Sequence, residues 1–394
     1  MRRIHLANKK RKNGFLARVF PAKHKKTDNR PDYFLVGLVF LIIIFGLFML
    51  SSASSVESFR GYNDVYFFLK RQLLRGFLPG LALMSFLAFF NYRTWEKLTV
   101  PFFIVSLVLL VSVFIPGIGA TYNQSRSWIN IAGLSFQPSE IVKLLLILAL
   151  AGWFSYRGEE LTKDFWNGFL PFLVILSLIS LPVALADLGT SIVIVTIAIA
   201  VYFVAGAKLN HIIALFIMGL GAAGLLILQA PYRAARLTTF LHPELDPLGF
   251  GYHINQAFLA VGSGGLFGLG FGQSRQKFAY LPEVMGDSIF AIISEELGFI
   301  FAVLLVILFL LLAWRGLRLA KRVEDDYARY IVVGVIAWFI WQAFYNIAAM
   351  IGLMPLTGIP LPFISYGGTA LASAMAATGI LINISRQVDL AKKG

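Results

Sequence analysis

The chain contains no cysteine and few charged residues. None of its 394 residues is cysteine, which excludes disulfide frameworks, thiolate zinc sites, iron–sulfur clusters and cysteine nucleophiles. Only 14% of the residues are charged and 58% are hydrophobic, with a mean hydropathy of +0.77. A typical soluble domain has about 25% charged residues, so an ordinary soluble enzyme is excluded. The 14% aromatic content likewise excludes a disordered chain.

Long apolar stretches take up most of the sequence. A helix needs about 20 apolar residues to cross a bilayer core, and ten stretches approach that length. They cover about 34–53, 73–91, 98–116, 141–156, 166–185, 188–206, 209–230, 288–314, 329–352 and 367–385. The first stretch is too long for a signal peptide, so it is interpreted as a retained helix. The pattern predicts an all-α membrane protein with ten transmembrane helices; alternating segments typical of a β-barrel are not found in the sequence.

The distribution of basic residues predicts the orientation. With ten spans both termini lie on one side, and that side carries 24 of the 34 Lys and Arg residues against nine on the other. The positive-inside rule therefore places both termini in the cytoplasm. Because the net charge of +14 is concentrated there, it indicates membrane orientation rather than nucleic-acid binding. A cluster of Lys70, Arg71 and Arg75 at the outer end of the second span runs against this rule.

Three regions follow from this topology. Residues 1–32 form a basic cytoplasmic tail, residues 33–386 form one membrane domain, and residues 387–394 form a short cytoplasmic tail. The basic tail is either held at anionic lipid or a docking arm for a cytoplasmic partner. The membrane domain has a large extracytoplasmic loop at about 231–286, a shorter one at 117–140 and a Pro-rich one at 353–366.

Several acids lie where a membrane makes them costly. Glu140, Asp187 and Asp287 each begin a span at its outer end. Acids at helix N-termini commonly cap free N–H groups, so capping is the simpler explanation, above all for Asp187. Glu140 is followed by Lys143 one turn deeper, which predicts either a structural ion pair or the polar floor of an outward-facing cavity. Glu295 and Glu296 point about 100° apart on the same helix, so at least one should be buried against a partner or protonated.

A glycine-rich segment precedes Asp287. Six glycines occur between Gly262 and Gly272, followed by Arg275 and Lys277. The Gly-x-Gly pattern has no preceding strand, which excludes a nucleotide-binding fold. Glycines allow close backbone approach, and cations beside backbone N–H groups can hold a pyrophosphate. The alternative is a flexible hairpin with a solvated basic tip.

Together these motifs resemble the SEDS family (shape, elongation, division and sporulation), which includes FtsW and RodA. The resemblance covers nearly all ten spans and rests on motifs in a fixed order: Ser125–Asn130, Phe136–Lys143, Asp187–Thr190, Gly264–Gly272, Leu281–Glu283, Asp287–Ala291, Glu295–Gly298 and Thr357–Thr369. The basic tail, Ser51–Ser55 and Gln273–Lys277 look more like the division branch than the elongation branch. Ala186, His253, Gly286 and Thr369 depart from the common pattern, which bears on the shape of the site but removes no acid.

The resemblance implies a peptidoglycan glycosyltransferase that polymerises lipid II at the outer face of the cytoplasmic membrane. Asp287 is the implied catalytic base, acting on the attacking hydroxyl while the polyprenyl pyrophosphate leaves and the linkage inverts. The leaving group would be stabilised by Arg275, by Lys277 and by a divalent cation, Mg or Mn. The full expected substrate-binding set is Arg126, Gln137, Glu140, Lys143, Gln256, Gly265, Arg275, Lys277, Glu283 and Ser365.

The resemblance also implies partners. Lipid II and the nascent glycan strand are the expected substrates. A class B penicillin-binding protein (a single-span transpeptidase) and other division proteins are the expected partners, at the division septum. A lipid II flippase, an elongation polymerase of the RodA type and an inactive scaffold remain alternatives. A carrier needs polar groups near the midplane that are reachable from both sides; here most of them face outward, and the motif around Asp287 argues against a scaffold.

Overall fold

The computed structural model describes residues 30–387, except 118, 123–124, 132–133, 243–244 and 248. The basic tail predicted for residues 1–32 lies almost entirely outside the described residues, as does the C-terminal tail. The elements are α1 (Tyr33–Ala53), α2 (Ser55–Tyr62), α3 (Phe67–Phe89), α4 (Arg93–Glu96), α5 (Thr99–Ser112), β1 (Gly119–Tyr122), β2 (Ser125–Ile131), β3 (Leu134–Phe136), α6 (Pro138–Thr162), α7 (Phe165–Ala186), α8 (Leu188–Val204), α9 (Leu209–Leu228), α10 (Pro231–Leu241), α11 (Phe250–Ser263), α12 (Ile289–Arg322), α13 (Asp326–Met350) and α14 (Gly368–Ser385).

Each of the ten predicted spans corresponds to a helix. Among the described residues, eight helices are long and apolar enough to cross a membrane, and α5 and α8 are shorter apolar helices. The core lies where α6, α8, α13 and α14 meet, and these helices are largely buried. By contrast, α9 buries only His211 and Leu215 and exposes its other apolar side chains, as a lipid-facing helix does. The prediction of a ten-helix membrane fold is confirmed.

Two of the predicted loops contain regular structure that the sequence pattern did not indicate. The loop predicted at 117–140 folds into an antiparallel sheet with the strand order β1-β2-β3. Strand β2 packs against α6 and α7, and Ile129 is buried there. The loop predicted at 231–286 contains the helices α10 and α11, of which α11 packs against α12. The all-α prediction therefore holds for the described residues except for the small sheet in the loop at 117–140.

Helix α12 breaks at Gly298, whose backbone angles are φ 79° and ψ −177°. Residues 288–296 are all buried, whereas Phe299, Ile300 and Phe301 are exposed. The first part of α12 is therefore a buried half-helix, and the lipid-facing span begins after Gly298. A broken helix is tolerated in a membrane protein where other protein groups satisfy the freed backbone.

Two sets of contacts mark levels about one bilayer core apart, named here after the predicted orientation. At the inner level the carboxylate of Asp32 pairs with Arg315 at 2.6 Å, and its N–H donates to Ser385 Oγ at 3.0 Å. At the outer level Ser52 Oγ donates to Glu296 at 2.7 Å. The helical rise separates residues 32 and 52 by about 30 Å, the thickness of a bilayer core.

Candidate functional site

A buried ion pair lies beneath a cleft between α6, α13 and α14. Lys143 Nζ is 2.7 Å from Glu140 Oε1, and both side chains are at most 2% exposed. The ammonium also donates to Gln342 Oε1 at 2.9 Å and lies 4.7 Å from the centre of the Trp338 ring. These contacts stabilise a lysine that would otherwise be a costly buried charge. Glu140 Oε2 is buried without a hydrogen-bond partner among the described residues.

The cleft above Glu140 is narrow, with a free volume of about 10 Å³. Glu140 lines it together with Gln342, the Pro-rich segment and the first turns of α14, including Ala370 and Ala374. Counted up α14 from Ser385 at the inner level, Ala374 and Ala370 lie at about 16 and 23 Å. The cleft therefore extends from near the middle of the membrane toward the outer level, as predicted for an outward-facing cavity.

The segment 353–367 joins this cleft to the region of Asp287. Gln342 Nε2 donates to the Pro360 carbonyl at 2.8 Å. Ser365 Oγ donates to the Gly286 carbonyl at 2.6 Å, and the Tyr366 N–H donates to the Met285 carbonyl at 2.8 Å. Ser365, which the sequence placed in the substrate-binding set, thus fixes the turn that carries Asp287.

Asp287 lies at a second cleft, which is tightly packed without free volume in this structure and is lined also by Tyr345, Asn346 and Thr357. Asn346 Nδ2 donates to the carbonyl of Asp287 at 2.7 Å and to that of Ile359 at 2.8 Å. Asp287 Oδ1 and Asn346 Oδ1 are both buried and lack hydrogen-bond partners within the described part of the chain. Buried acceptors are rarely left unsatisfied, so two of them in one cleft indicate a place for a hydroxyl or amide donor from a ligand.

Burial raises the pKa of the Asp287 carboxyl to about 6, and the charge of Arg236 is the strongest opposing influence. A carboxylate with this pKa is mostly ionised at neutral pH and more basic than an ordinary aspartate. Both properties suit a general base.

Arg236 and His253 are two neighbours of the site whose roles the sequence did not reveal. Arg233, one turn before Arg236 on α10, donates to the Ala184 and Leu185 carbonyls at 2.9 and 3.0 Å and so moors α10 to the end of α7. The sequence feature that could have indicated a role for Arg236 is the pair of arginines, Arg233 and Arg236, on one short helix. His253 Nε2 lies 2.6 Å from Ser288 Oγ, and burial lowers the His253 pKa to about 4. Because Ser288 Oγ donates to the Pro282 carbonyl, neutral His253 is the donor to Ser288.

The glycine hairpin, residues 264–277, is fastened to the break in α12. The N–H groups of Leu269 and Gly270 donate to the carbonyls of Glu295 and Glu296 at 2.9 and 3.0 Å, and Phe299 N–H donates to the Gly265 carbonyl at 2.9 Å. A Cβ on Gly264 would lie 1.9 Å from the Ser294 carbonyl oxygen, and one on Gly268 would lie 2.2 Å from the Glu296 carbonyl oxygen. Gly264 and Gly268 are therefore needed for packing against α12, a structural role that the sequence pattern did not indicate.

The two acids that follow one another on α12 both hold this hairpin. Glu295 accepts from Ser274 Oγ at 2.5 Å and from the Arg275 N–H at 2.9 Å. Glu296 accepts from the Gly272 N–H at 3.0 Å and pairs with Lys277 Nζ at 3.0 Å. The expectation that at least one of these acids is buried against a partner is confirmed for Glu296.

The structure corrects the role expected for Lys277. Its ammonium is 4% exposed and donates to Glu296, to the Gly272 carbonyl at 2.7 Å and to Ser52 Oγ at 3.0 Å. An ammonium has three N–H donors, and all three are used. Lys277 therefore fastens the hairpin to α1 and α12 and is not available to a pyrophosphate. Arg275, by contrast, exposes its side chain.

The remaining predicted residues are not among the described residues that line these two clefts. Glu283 is exposed with φ 51°, and its carbonyl accepts from the N–H groups of Gly286 and Ser288. Gln137 precedes α6 without capping it, and Gln256 is partly buried on α11. Gly265 is exposed with φ 54°. Arg126 lies on β2, but its side chain is outside the described residues.

The residues around Asp287 provide only a partial fit to a metal ion. Among the described residues, no group of three or more His, Cys, Asp or Glu side chains is arranged to hold one. A divalent cation such as Mg or Mn would therefore take most of its ligands from the oxygen atoms of a pyrophosphate. That ion remains a proposal.

Comparison with known proteins gives consistent matches along the membrane domain. The family model described as "Cell cycle protein" (FTSW_RODA_SPOVE) matches residues 32–390. "Stage V sporulation protein E" from Bacillus subtilis (strain 168) is 45% identical over 363 residues, covering 92% of this chain and 98% of that protein. "Probable peptidoglycan glycosyltransferase FtsW" from Geobacter sp. (strain M18) is 38% identical and covers 91% of this chain and 97% of that protein.

Solved structures share the fold over a similar extent. A chain from the work described as "Structural coordination of polymerization and crosslinking by a peptidoglycan synthase complex" gives a TM-score of 0.75 at 29% identity, covering 91% of this chain and 98% of that chain. The crystal structure of the rod shape determining protein RodA from Thermus thermophilus gives a TM-score of 0.66 at 26% identity, covering 91% of this chain and 97% of that chain.

Proposed function

Because the chain belongs to the FtsW, RodA and SpoVE family of cell cycle proteins, we propose that it is a peptidoglycan glycosyltransferase that polymerises lipid II. The observation that supports a catalytic site most strongly is the pair of buried acceptors in one cleft, Asp287 Oδ1 and Asn346 Oδ1. The predicted orientation places this cleft toward the outer face of a multi-pass membrane protein.

In the proposed reaction, the GlcNAc 4-hydroxyl of one lipid II attacks the anomeric carbon of the MurNAc carried by the growing strand. Asp287 takes the hydroxyl proton as the new bond between oxygen and carbon forms. The bond from the anomeric carbon to the phosphate oxygen breaks, and the polyprenyl pyrophosphate leaves with the electron pair. Attack opposite the leaving group converts the α linkage to β. A general base of this kind contributes roughly 10²–10⁴-fold.

Charged groups around the cleft have separate roles in this proposal. The exposed guanidinium of Arg275 stabilises the charge that develops on the pyrophosphate. A divalent cation, when bound to the pyrophosphate, would supply further charge neutralisation. Arg236 keeps Asp287 ionised at neutral pH, and its influence on that carboxyl was identified only from the structure.

The Glu140–Lys143 pair forms the polar floor on which a sugar can rest. Glu140 Oε2 makes no hydrogen bond among the described residues, so it can accept one from a substrate hydroxyl. Lys143 donates to Glu140 and Gln342 and so fixes the position of the Glu140 carboxyl group. The substrates, lipid II and the nascent strand, are amphiphiles that need such a polar cleft next to a lipid-facing surface.

A transpeptidase partner is also proposed. The matched synthase complex is described as coordinating polymerization and crosslinking, which supports a class B penicillin-binding protein as the partner of this chain. The relatives include both FtsW proteins and a sporulation protein, so cell division at the septum and spore formation are both compatible with the family.

The function is tested with purified protein in liposomes, with and without such a transpeptidase. Labelled lipid II should be converted to glycan polymer that a muramidase degrades. If lipid II instead only changes leaflet, as measured by its accessibility to an outside reagent, the flippase alternative replaces the polymerase.

A further inference from the structure

Two basic residues on α3, Arg71 and Arg75, differ from the other basic residues on the outer side. Lys70, Arg71 and Arg75 lie on the side where the positive-inside rule disfavours basic residues. Lys70 pairs with Asp64 at 2.8 Å. No acidic partner for Arg71 or Arg75 is found within the described part of the chain, and the Arg75 side chain is exposed. Exposed cations at a membrane boundary require a physical reason.

The pair lies at the outer boundary of the bilayer core. The Arg75 carbonyl oxygen is 2.9 Å from the position that a Cβ on Gly368 would take, so α3 and the start of α14 are in close contact. Counted up α14 from Ser385, Gly368 lies at about 26 Å, close to the outer level, and Arg71 is one turn farther out. The two arginines therefore begin at the outer edge of the core, where side chains of this length reach lipid phosphates.

The pair is also close to the catalytic turn. Burial raises the pKa of the Tyr366 hydroxyl, and the charges of Arg71 and Arg75 oppose that rise, so both lie within electrostatic reach of Tyr366. The Tyr366 N–H binds the Met285 carbonyl, two residues before Asp287. Gln72, between the two arginines, accepts from the Gly367 N–H at 3.0 Å. The helix that carries the arginines is thus hydrogen-bonded to the segment that holds the turn before Asp287.

The local backbone presents Arg75 to the lipid. Arg75 lies within the π-helical segment Leu73–Phe77. Such segments are frequent at functional sites. Below it, Leu78, Phe86 and Phe89 expose more than half of their side chains along α3. A charged head at Arg71 and Arg75 would be followed by an apolar surface suited to a long lipid tail.

We propose that Arg71 and Arg75 form a binding subsite for the diphosphate of the incoming lipid-linked saccharide, separate from the leaving-group site at Arg275. This proposal rests on the proposed function, because transfer between two lipid-linked sugars requires two diphosphates to be held at once. Arg71 and Arg75 lie about one helical turn apart, with the π-helical segment Leu73–Phe77 beginning between them, so both side chains extend from the outer end of the same helix. Arginine forks bind phosphate oxygens in pairs.

The subsite makes a distinct kinetic prediction. The diphosphate of the incoming substrate does not react, so its contacts are the same in the ground state and the transition state. Losing such contacts raises KM and leaves kcat unchanged, whereas losing contacts to a leaving group lowers kcat.

The experiment measures polymerisation kinetics of full-length protein in nanodiscs for Arg71→Gln, Arg75→Gln and the double variant. Lys70→Gln is the matched control, because it removes one neighbouring charge that already has a partner. The double variant should raise KM for lipid II at least about tenfold, since charge-assisted hydrogen bonds are lost, with kcat within about twofold. The Lys70→Gln variant should leave both unchanged.

A second measurement determines binding of labelled lipid II to the Asp287→Asn protein, with and without the arginine substitutions, in discs of neutral lipid and in discs containing phosphatidylglycerol. Loss of lipid II binding only with the arginine substitutions supports the subsite. Four results would overturn the subsite. In the binding measurement, the result is equal competition by phosphatidylglycerol. In the kinetics, the results are an unchanged KM, a fall in kcat alone, or an equal effect of Lys70→Gln. If wild-type protein makes no polymer, the proposed function fails, while the binding measurement still decides the subsite.

Discussion

An aspartate at the start of a helix can cap it or act on a ligand, and Asp187 and Asp287 differ in this respect. Asp187 accepts from the Thr190 N–H at 3.1 Å and from Thr190 Oγ at 2.6 Å, so the capping interpretation of Asp187 is confirmed. Asp287 precedes its helix, and its Oδ1 has no hydrogen-bond partner among the described residues. An aspartate at the start of a helix therefore has one of two physical roles, and the surrounding contacts distinguish them.

The pKa of Asp287 leads to a pH dependence. The carboxyl titrates near pH 6, and only its ionised form can accept the hydroxyl proton. The initial rate of polymerisation should therefore fall about tenfold for each unit of pH below that value. The assay is run between about pH 5 and pH 8. A flat rate across this range in the wild-type protein would show that Asp287 does not act as the base.

Substitutions should show a structural role for Lys277 and a functional role for Arg275. Lys277→Met leaves the Glu296 carboxylate buried without its cation, which should cost about 3–5 kcal/mol of unfolding free energy. Arg275→Gln changes an exposed side chain, so the unfolding temperature should not change while polymerisation slows at least about tenfold. Both are measured by thermal unfolding in detergent and by polymer yield. An unstable Arg275→Gln protein, or a stable Lys277→Met protein, would reverse these assignments.

The sequence could identify these charges but not their partners. Lys277 and Glu296 are far apart along the chain, and only the folding of the glycine hairpin onto α12 brings them together at 3.0 Å. A cation beside a glycine run is typical of phosphate binding, so the general pattern favoured the wrong role for Lys277. Arg236 was missed because its effect on Asp287 depends on how α10 is moored by Arg233.

At the scale of elements, the break in α12 is the feature on which the site depends. Gly298 ends a buried half-helix that carries Glu295 and Glu296, and the glycine hairpin satisfies the backbone groups freed there. The half-helix, the hairpin and Asp287 thereby form one connected unit. Long apolar runs predicted the spans well because length and hydropathy are local properties.

The break and the small sheet could not be predicted in the same way. Gly298 lies within the predicted span 288–314, two residues after Glu296, and the overall hydropathy of that span gives one long helix. The strands β1, β2 and β3 are short, and their pairing depends on packing against α6 and α7. Such tertiary contacts are not encoded in a local pattern.

Gly298 itself gives a test of this unit. Gly298→Ala places a Cβ 2.3 Å from the Gly268 nitrogen at a φ of 79°, so both contact and backbone are strained. We expect a loss of at least about 2 kcal/mol of unfolding free energy and a strong loss of polymerisation. Gly262→Ala is the control, since no heavy atom lies within 4 Å of its added Cβ. Equal stability of the two variants in thermal unfolding would show that the hairpin is not fastened at Gly298.

At the scale of the whole molecule, the account requires the clefts to face the outer side. The chain has no native cysteine, so single cysteines report topology directly. A labelling cysteine at Gly264 is unsuitable, because the added Cβ would clash with the Ser294 carbonyl. Gly61→Cys, with open space around it, should be labelled from outside in intact cells, and exposed Lys321→Cys should be labelled only after permeabilisation. Reversed labelling would place both clefts on the cytoplasmic side.

At this scale, the proposed function requires a lipid-facing surface, a polar floor and a base in clefts that face outward. Asp287→Asn tests this most directly. Asparagine caps a helix about as well as aspartate, so the variant should fold, insert and bind lipid II. Because the amide cannot take the hydroxyl proton, purified Asp287→Asn protein should form polymer from labelled lipid II at least ~100-fold more slowly than wild type. Glu283→Gln should cost less, since Glu283 shapes the turn before the helix. A rate for Asp287→Asn near that of wild type would contradict the assignment of Asp287 as the catalytic base.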